Sequence, residues 1–238
     1  MTLEPAPAWL PKSAVREALA LWAICFTAII LTFVTWTGAA KLVATVGFLY
    51  LPIYAMRARG EDYADFGLSL RNLGRELRLF ALVSAVVFPL FIGFYLGGMA
   101  LLPLLPKALV HVFTPYVSAP SFHFRLPDRF AEWVIDQLFV VAIPEEFFYR
   151  GYLQSRLRDG WPGGRVVFGV RLGRAFWITA LLFALGHLAI FQAWRLAVFF
   201  PALIFGWMRE RTGGILGAAL FHASANLLVQ VLDASFFS

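Results

Sequence analysis

The chain has 238 residues, of which 61% are hydrophobic and only 14% are charged, and its net charge is +6. Soluble domains carry about a quarter charged residues, so this composition excludes an ordinary soluble globular protein. The basic residues cluster in short loops between long apolar runs, a pattern typical of helical membrane proteins rather than of a nucleic-acid-binding surface.

Seven apolar runs predict seven membrane-spanning helices, and we therefore expect an all-α polytopic membrane protein. The first run is Ala18–Trp36, and the second ends at Met56. The third should be tilted or kinked, because Pro89 and several glycines interrupt it. The sixth is too short for an ordinary span and is expected to be short or re-entrant. Runs three to seven are Leu79–Pro106, Phe130–Leu157, Ala175–Trp194, Leu196–Met208 and Thr212–Leu232.

No internal repeat or low-complexity linker divides the chain, so we expect residues 1–238 to form a single membrane domain. Within it, residues 1–129 comprise the N-terminal spans and a loop, and residues 130–232 carry the polar motifs described below. The single cysteine, Cys25, can form no intrachain disulfide.

The distribution of lysine and arginine predicts the orientation of the spans. With a cytoplasmic N-terminus, fourteen of the 20 basic residues fall in cytoplasmic segments, five fall outside, and Arg150 is intramembrane. This asymmetry favours a cytoplasmic N-terminus, since cytoplasmic loops carry the excess of positive charge. The five outside residues are Lys41, Lys107, Arg125, Arg129 and Arg195.

The fourth run contains an unusual concentration of charge, because Glu145, Glu146 and Arg150 lie within eight residues that are otherwise apolar. An ionisable residue at membrane depth costs roughly 2.5–3.5 kcal/mol, so three together indicate a function. Glu146 and Arg150 are four residues apart and can pair on one helix face, whereas Glu145 points about 100° away. Pro144 is expected to kink or restart the helix. The alternative is a buried ion pair that only fixes helix packing.

Two later runs add polar residues at helical spacing. His187 lies four residues after Phe183, and Asn226 lies four residues after His222, both among small residues that allow helices to approach closely. Counted from the nearest arginine-rich loop, Glu146, His187 and His222 are each roughly 15–20 Å deep. The three helices are therefore predicted to form one site near the middle of the bilayer.

These motifs resemble those of the CAAX-protease and bacteriocin-processing family of intramembrane endopeptidases, also called CPBP or Abi, which includes the Ras-converting CAAX endopeptidase. The resemblance covers about Val140 to Leu228. It rests on Glu145-Glu146-x-x-x-Arg150, Phe183-x-x-x-His187 and His222-x-x-x-Asn226.

The resemblance implies a role for each motif residue in peptide-bond hydrolysis. Glu145 would take a proton from water, and His187 would orient that water. His222 and Asn226 would donate hydrogen bonds to the oxyanion. Arg150 would keep Glu146 ionised and fixed. The substrate would be a membrane-associated protein or peptide, of CAAX type or with a C-terminal sorting or maturation signal. A bacterial or archaeal cell membrane is the expected location.

Three alternatives remain open from the sequence. His187 and His222 with Glu145 or Glu146 could hold a zinc ion, although we favour chemistry without a cofactor because no His-Glu-x-x-His signature is present. A proton-coupled transporter would also place carboxylates and histidines at the midplane. A non-catalytic bacteriocin-immunity protein is the third. The lipid bilayer is an expected partner and nucleic acid is not. Asp136 is interpreted as an interfacial or packing residue.

Overall fold

The structure is a computed structural model that describes residues 13–101, 104–106, 108 and 121–237. Seven helices account for most of this part of the chain, so the prediction of an all-α membrane protein is confirmed. Lys107, used above to predict the orientation, lies outside the described residues. The helices are α1 (Ala14–Thr35), α2 (Ala40–Ala58), α3 (Leu73–Leu101), α4 (130–160), α5 (Arg174–Gly186), α6 (Phe199–Thr212) and α7 (Leu216–Phe237).

Four helical stretches are long and apolar enough to cross a membrane: Ala14–Thr35, Thr37–Ala58, Leu73–Leu101 and Leu216–Phe236. The outward face of α3 illustrates how these helices meet lipid. Its Leu82, Val86, Leu90 and Phe94 are 61–79% exposed and lie four residues apart on one face. An apolar stripe of this kind is stable in hydrocarbon and would be a liability in water.

Helix α4 is continuous but not uniform. Its α-helical segments are Phe130–Ile135, Ile143–Glu146 and Gln154–Gly160, separated by the wider π-helical segments Asp136–Ala142 and Phe147–Leu153. π-helical turns are rare and are frequently found at functional sites. The two that interrupt α4 flank the Glu145-Glu146 pair.

The helix does not break at Pro144, where we expected a kink or a restart. Proline has no N–H, so the carbonyl of Val140 loses the partner it would have in a regular helix. The hydroxyl of Thr45 in α2 donates a hydrogen bond to that carbonyl at 2.8 Å. A neighbouring helix thus replaces the missing bond, and the backbone remains helical through the proline.

The fifth apolar run forms a shorter helix than predicted. Helix α5 ends at Gly186, is followed by a 3-10 turn over His187–Ile190, and stops at Phe191, whose φ of 55° is left-handed. A left-handed residue cannot continue the helix, so the predicted end at Trp194 is wrong. A second 3-10 segment, Ala193–Val198, leads into α6, which is short as expected.

The segment between α4 and α5 contains a β-hairpin that the sequence analysis treated as a loop. Strand β1 (Arg165–Val167) pairs antiparallel with β2 (Val170–Leu172), with Val167 opposite Val170. This pair forms the only sheet in the described residues.

Helix α4 is the centre of the bundle. Helices α1, α2, α5, α6 and α7 all pack against it, whereas α3 packs against α7 and α6. The largest fully buried side chains surround this helix and include Phe147, Phe148, Tyr152, Phe183, Phe205 and Phe221. The polar residues of α4 are therefore placed where five helices meet.

Candidate active site

Glu146 and Arg150 form the predicted ion pair. Arg150 Nη1 lies 3.1 Å from Glu146 Oε1, and both side chains are fully buried. The guanidinium lies between two aromatic rings, 4.2 Å from the centroid of Phe183 in α5 and 4.9 Å from that of Phe205 in α6. It also donates a hydrogen bond to the carbonyl of Ala202 at 3.2 Å. Arg150 thus joins α4 to α5 and α6 while it neutralises Glu146.

His222 lies between the two glutamates. Its Nδ1 is 3.0 Å from Glu146 Oε1, so this nitrogen donates a hydrogen bond to the carboxylate. The other nitrogen, Nε2, is 3.9 Å from Glu145 Oε2. The ring of Phe205 stacks on the imidazole at 4.8 Å with an interplanar angle of 15°. The orientation of His222 is therefore fixed by the hydrogen bond to Glu146 at its edge and by the stacking of Phe205 on its face.

Glu145 is the less constrained carboxylate. Its side chain is 18% exposed, whereas that of Glu146 is fully buried. Its Oε2 atom is nonetheless buried and has no hydrogen-bond partner among the described residues. A buried carboxylate oxygen without a partner carries a desolvation cost. This atom, beside His222, is available for chemistry.

His187 joins the site through Phe183. It is the first residue after α5, and its Nδ1 donates a hydrogen bond to the Phe183 carbonyl at 2.9 Å. In the neutral ring, Nε2 is then an acceptor. The ring of Phe183 lies 4.6 Å from that of His187 and 5.9 Å from that of His222, so one phenylalanine separates the two imidazoles. Glu145 and His222 both lie within electrostatic range of His187.

Asn226 has a partner that the sequence analysis missed. Its Nδ2 donates a hydrogen bond at 2.8 Å to Gln137 Oε1, and Gln137 is buried in the first π-helical segment of α4. Gln137 Nε2 in turn donates to Asp136 Oδ2 at 3.3 Å, and Asp136 pairs with Lys41 at 2.5 Å. An amide inside the apolar run that carries the glutamates is the signal that could have identified Gln137.

The predicted site residues are thus brought together to different degrees. Glu146 contacts Arg150 and His222 directly, and Glu145 faces His222. His187 adjoins the group through Phe183, and Asn226 lies one turn further along α7. Within the part of the chain that the structure describes, no three His, Cys, Asp or Glu side chains are grouped to hold a metal ion.

Comparison with known proteins agrees with these motifs. Residues 128–228 match the family model described as type II CAAX prenyl endopeptidase Rce1-like. No curated protein and no solved structure matches the chain. The matched segment runs from the start of α4 into α7 and contains all six predicted site residues, and the family implies a membrane protease. The resemblance drawn from the motifs is confirmed, because the match to the Rce1-like family of type II CAAX prenyl endopeptidases falls on the segment that carries them.

Proposed function

We propose that the protein is an intramembrane endopeptidase that hydrolyses a peptide bond of a membrane-associated protein or peptide with a water activated by Glu145. One observation carries the proposal. Glu145 is 18% exposed and its Oε2 lies 3.9 Å from His222 Nε2, whereas Glu146 is fully buried and held by Arg150 and His222.

The two glutamates are suited to different tasks. Arg150 and His222 both donate to Oε1 of Glu146, so this oxygen is already occupied by two partners. Glu145 lacks both contacts and can accept a proton, which is what a general base requires. Glu146 instead orients His222.

His187 is proposed to orient the attacking water. Its Nδ1–H donates a hydrogen bond to the Phe183 carbonyl, so the lone pair on Nε2 can accept one hydrogen bond from water. The second water proton is then directed to Glu145, and the oxygen lone pair is left for the carbonyl carbon of the substrate.

His222 and Asn226 are proposed to stabilise the oxyanion. Because His222 Nδ1 donates to Glu146, the ring can donate from Nε2 only when both nitrogens carry a proton. Asn226 uses one N–H for Gln137 and keeps a second N–H for the substrate oxygen.

The proposed reaction is balanced in protons. Glu145 takes a proton as the water oxygen bonds to the carbonyl carbon, which gives a tetrahedral oxyanion. Collapse of that intermediate breaks the C–N bond, and the proton held by Glu145 moves to the leaving nitrogen. The products are a carboxylic acid, which ionises, and an amine.

We further propose that no metal takes part and that the N-terminus faces the cytoplasm. Cleavage should survive prolonged dialysis against a strong chelator, and loss of activity that zinc restores would instead make His187 and His222 zinc ligands. Labelling of an Asp159→Cys variant from the cytoplasmic side alone would support the orientation. Asp159 is exposed, whereas the nearby Ser155 is only 6% exposed and is a poor labelling position.

The experiment that tests the function compares the C-termini of membrane proteins from cells with the wild type and with Glu145→Gln. We expect a small set of CAAX-type or sorting-signal substrates to keep their full C-termini in the variant. The variant should also retain uncut substrate that can be captured by crosslinking. Identical C-termini, together with full biological activity of the variant, would instead favour a transporter or an immunity protein.

A further inference from the structure

The β-hairpin between α4 and α5 lies against the ends of two helices. Val170 and Leu172 of β2 are each 8% exposed and form a cluster with Phe176 in the first turn of α5. Leu203 and Trp207 of α6 pack against this cluster. One face of the hairpin is therefore buried against the start of α5 and the side of α6.

The opposite face of the hairpin combines apolar and basic side chains. Val166 is 68% exposed and pairs with Arg171, so the two project from the same face. Phe168 at the tip is 84% exposed. Exposed apolar groups next to arginine are typical of protein surfaces that lie in the membrane interface.

The backbone of the tip strengthens this interpretation. Phe168 and Gly169 form a two-residue turn with φ values of 46° and 78°. Turns with two positive φ values favour glycine, asparagine and aspartate, and a phenylalanine there is strained. Neither backbone preference nor burial within the protein explains Phe168. Insertion of its ring into lipid does explain it.

Charge around the hairpin indicates the kind of lipid. Arg158 pairs with Glu210, but Arg165, Arg171 and Arg174 have no carboxylate partner among the described residues. All three are exposed on the same end of the bundle. Each arginine without a carboxylate partner at a membrane surface stabilises binding to anionic headgroups by about 1 kcal/mol, which raises the affinity about fivefold.

We propose that the hairpin, residues 165–172, is a membrane-surface contact that binds anionic phospholipid. Phe168 and Val166 enter the boundary between headgroups and acyl chains. Arg165, Arg171 and the adjacent Arg174 bind the phosphates of the leaflet on the arginine-rich side of the protein. This inference does not depend on the proposed proteolysis.

Fluorescence tests the insertion directly. Phe168→Cys is made in a Cys25→Ala background, labelled with an environment-sensitive dye and placed in nanodiscs of phosphatidylcholine with phosphatidylglycerol. We expect blue-shifted emission and quenching by nitroxide-labelled lipid. The control, Asp159→Cys in the same background, should show water-like emission. Water-like emission from position 168 as well would overturn the proposal.

Substitutions test the lipid class. Phe168→Asn suits the turn better than phenylalanine does, so it should fold normally, yet it should weaken the preference for phosphatidylglycerol over phosphatidylcholine. Arg165→Gln, Arg171→Gln and Arg174→Gln should each lower phosphatidylglycerol affinity by about fivefold. The readouts are lipid titration and the difference in melting temperature between nanodiscs with and without phosphatidylglycerol. Unchanged lipid preference in the triple arginine variant would overturn the assignment of an anionic partner.

Discussion

Helix α4 takes part in two buried polar clusters that differ in one respect. The site cluster consists of Glu145, Glu146, Arg150 and His222. The basal cluster consists of Glu17, Arg59, Glu61, Tyr152 and Arg156. Both contain a completely buried carboxylate beside arginine and aromatic rings. They differ in how completely the carboxylate oxygens are paired.

In the basal cluster, both oxygens of the buried glutamate have partners. Glu17 Oε1 accepts from the Tyr152 hydroxyl at 2.5 Å and lies 3.1 Å from Arg156 Nε. Its Oε2 accepts from Arg59 Nε at 2.7 Å. Arg156 also pairs with Glu61. A buried charge that is fully paired in this way joins α1, α2 and α4 and leaves nothing to react.

In the site cluster, Oε2 of Glu145 and Oε2 of Glu146 are both buried without a hydrogen-bond partner among the described residues. An incompletely paired carboxylate lowers stability, and such groups persist where function requires them. The comparison teaches that burial of charge alone does not identify a site. The two clusters on α4 differ in how completely their buried carboxylate oxygens are paired.

The largest expected effect is on catalysis, at Glu145. Glu145→Gln removes the general base and leaves the Glu146–Arg150 pair intact, so proteolysis should fall by at least about 10²–10⁴-fold. The melting temperature in detergent should stay the same or rise, because the substitution removes a carboxylate oxygen that is buried without a hydrogen-bond partner among the described residues. Cleavage assays and thermal unfolding measure the two quantities. Near-normal cleavage by Glu145→Gln, with activity lost in a well-folded Glu146→Gln variant, would reverse the two roles.

Arg150→Ala should lower both the rate of cleavage and the thermal stability. It leaves Glu146 buried without its cation and removes a guanidinium packed between Phe183 and Phe205. Breaking a buried pair by removing one partner costs about 3–5 kcal/mol. Reduced thermal stability should therefore accompany lost turnover. Wild-type stability with only turnover lost would give Arg150 a direct part in catalysis.

Glu17→Gln should lower stability and leave turnover unchanged, which is the reverse of the effect expected for Glu145→Gln. The substitution leaves Arg59 and Arg156 near a neutral amide, so we expect stability to fall by up to about 3–5 kcal/mol. The turnover of the molecules that remain folded should be unchanged. Thermal unfolding, and cleavage rates normalised to folded protein at low temperature, provide the test. A catalytic defect without destabilisation would contradict the distinction between the two clusters.

The sequence predicted the features that depend on residues close together in the chain. The number of helices followed from apolar runs, and the Glu146–Arg150 pair followed from an i, i+4 spacing that a helix imposes locally. The early end of α5 was not predicted, because a single left-handed residue at Phe191 leaves no trace in an apolar pattern.

Contacts between residues far apart in the sequence could not be predicted from local patterns. Glu17 immediately precedes the first apolar run, Ala18–Trp36, yet it is fully buried against α4. The contact of Gln137 with Asn226 joins residues 89 positions apart and depends on how α4 and α7 are rotated. The π-helical segments, which change that rotation, have no simple sequence signature.

The smallest expected effect is at Gln137, which we interpret as a residue that positions Asn226. Gln137→Leu removes the acceptor at 2.8 Å, so Asn226 can rotate and present either its carbonyl or its amide group to the substrate. A neutral hydrogen bond contributes about 1 kcal/mol, and we therefore expect kcat to fall about five- to tenfold. KM should change little, since the oxyanion exists only in the transition state. Gln137→Asn keeps an amide with both an acceptor and a donor and should restore part of kcat. If both variants lose activity equally, or if KM rises while kcat is kept, Gln137 contributes only packing between α4 and α7, and the orientation of Asn226 is determined elsewhere.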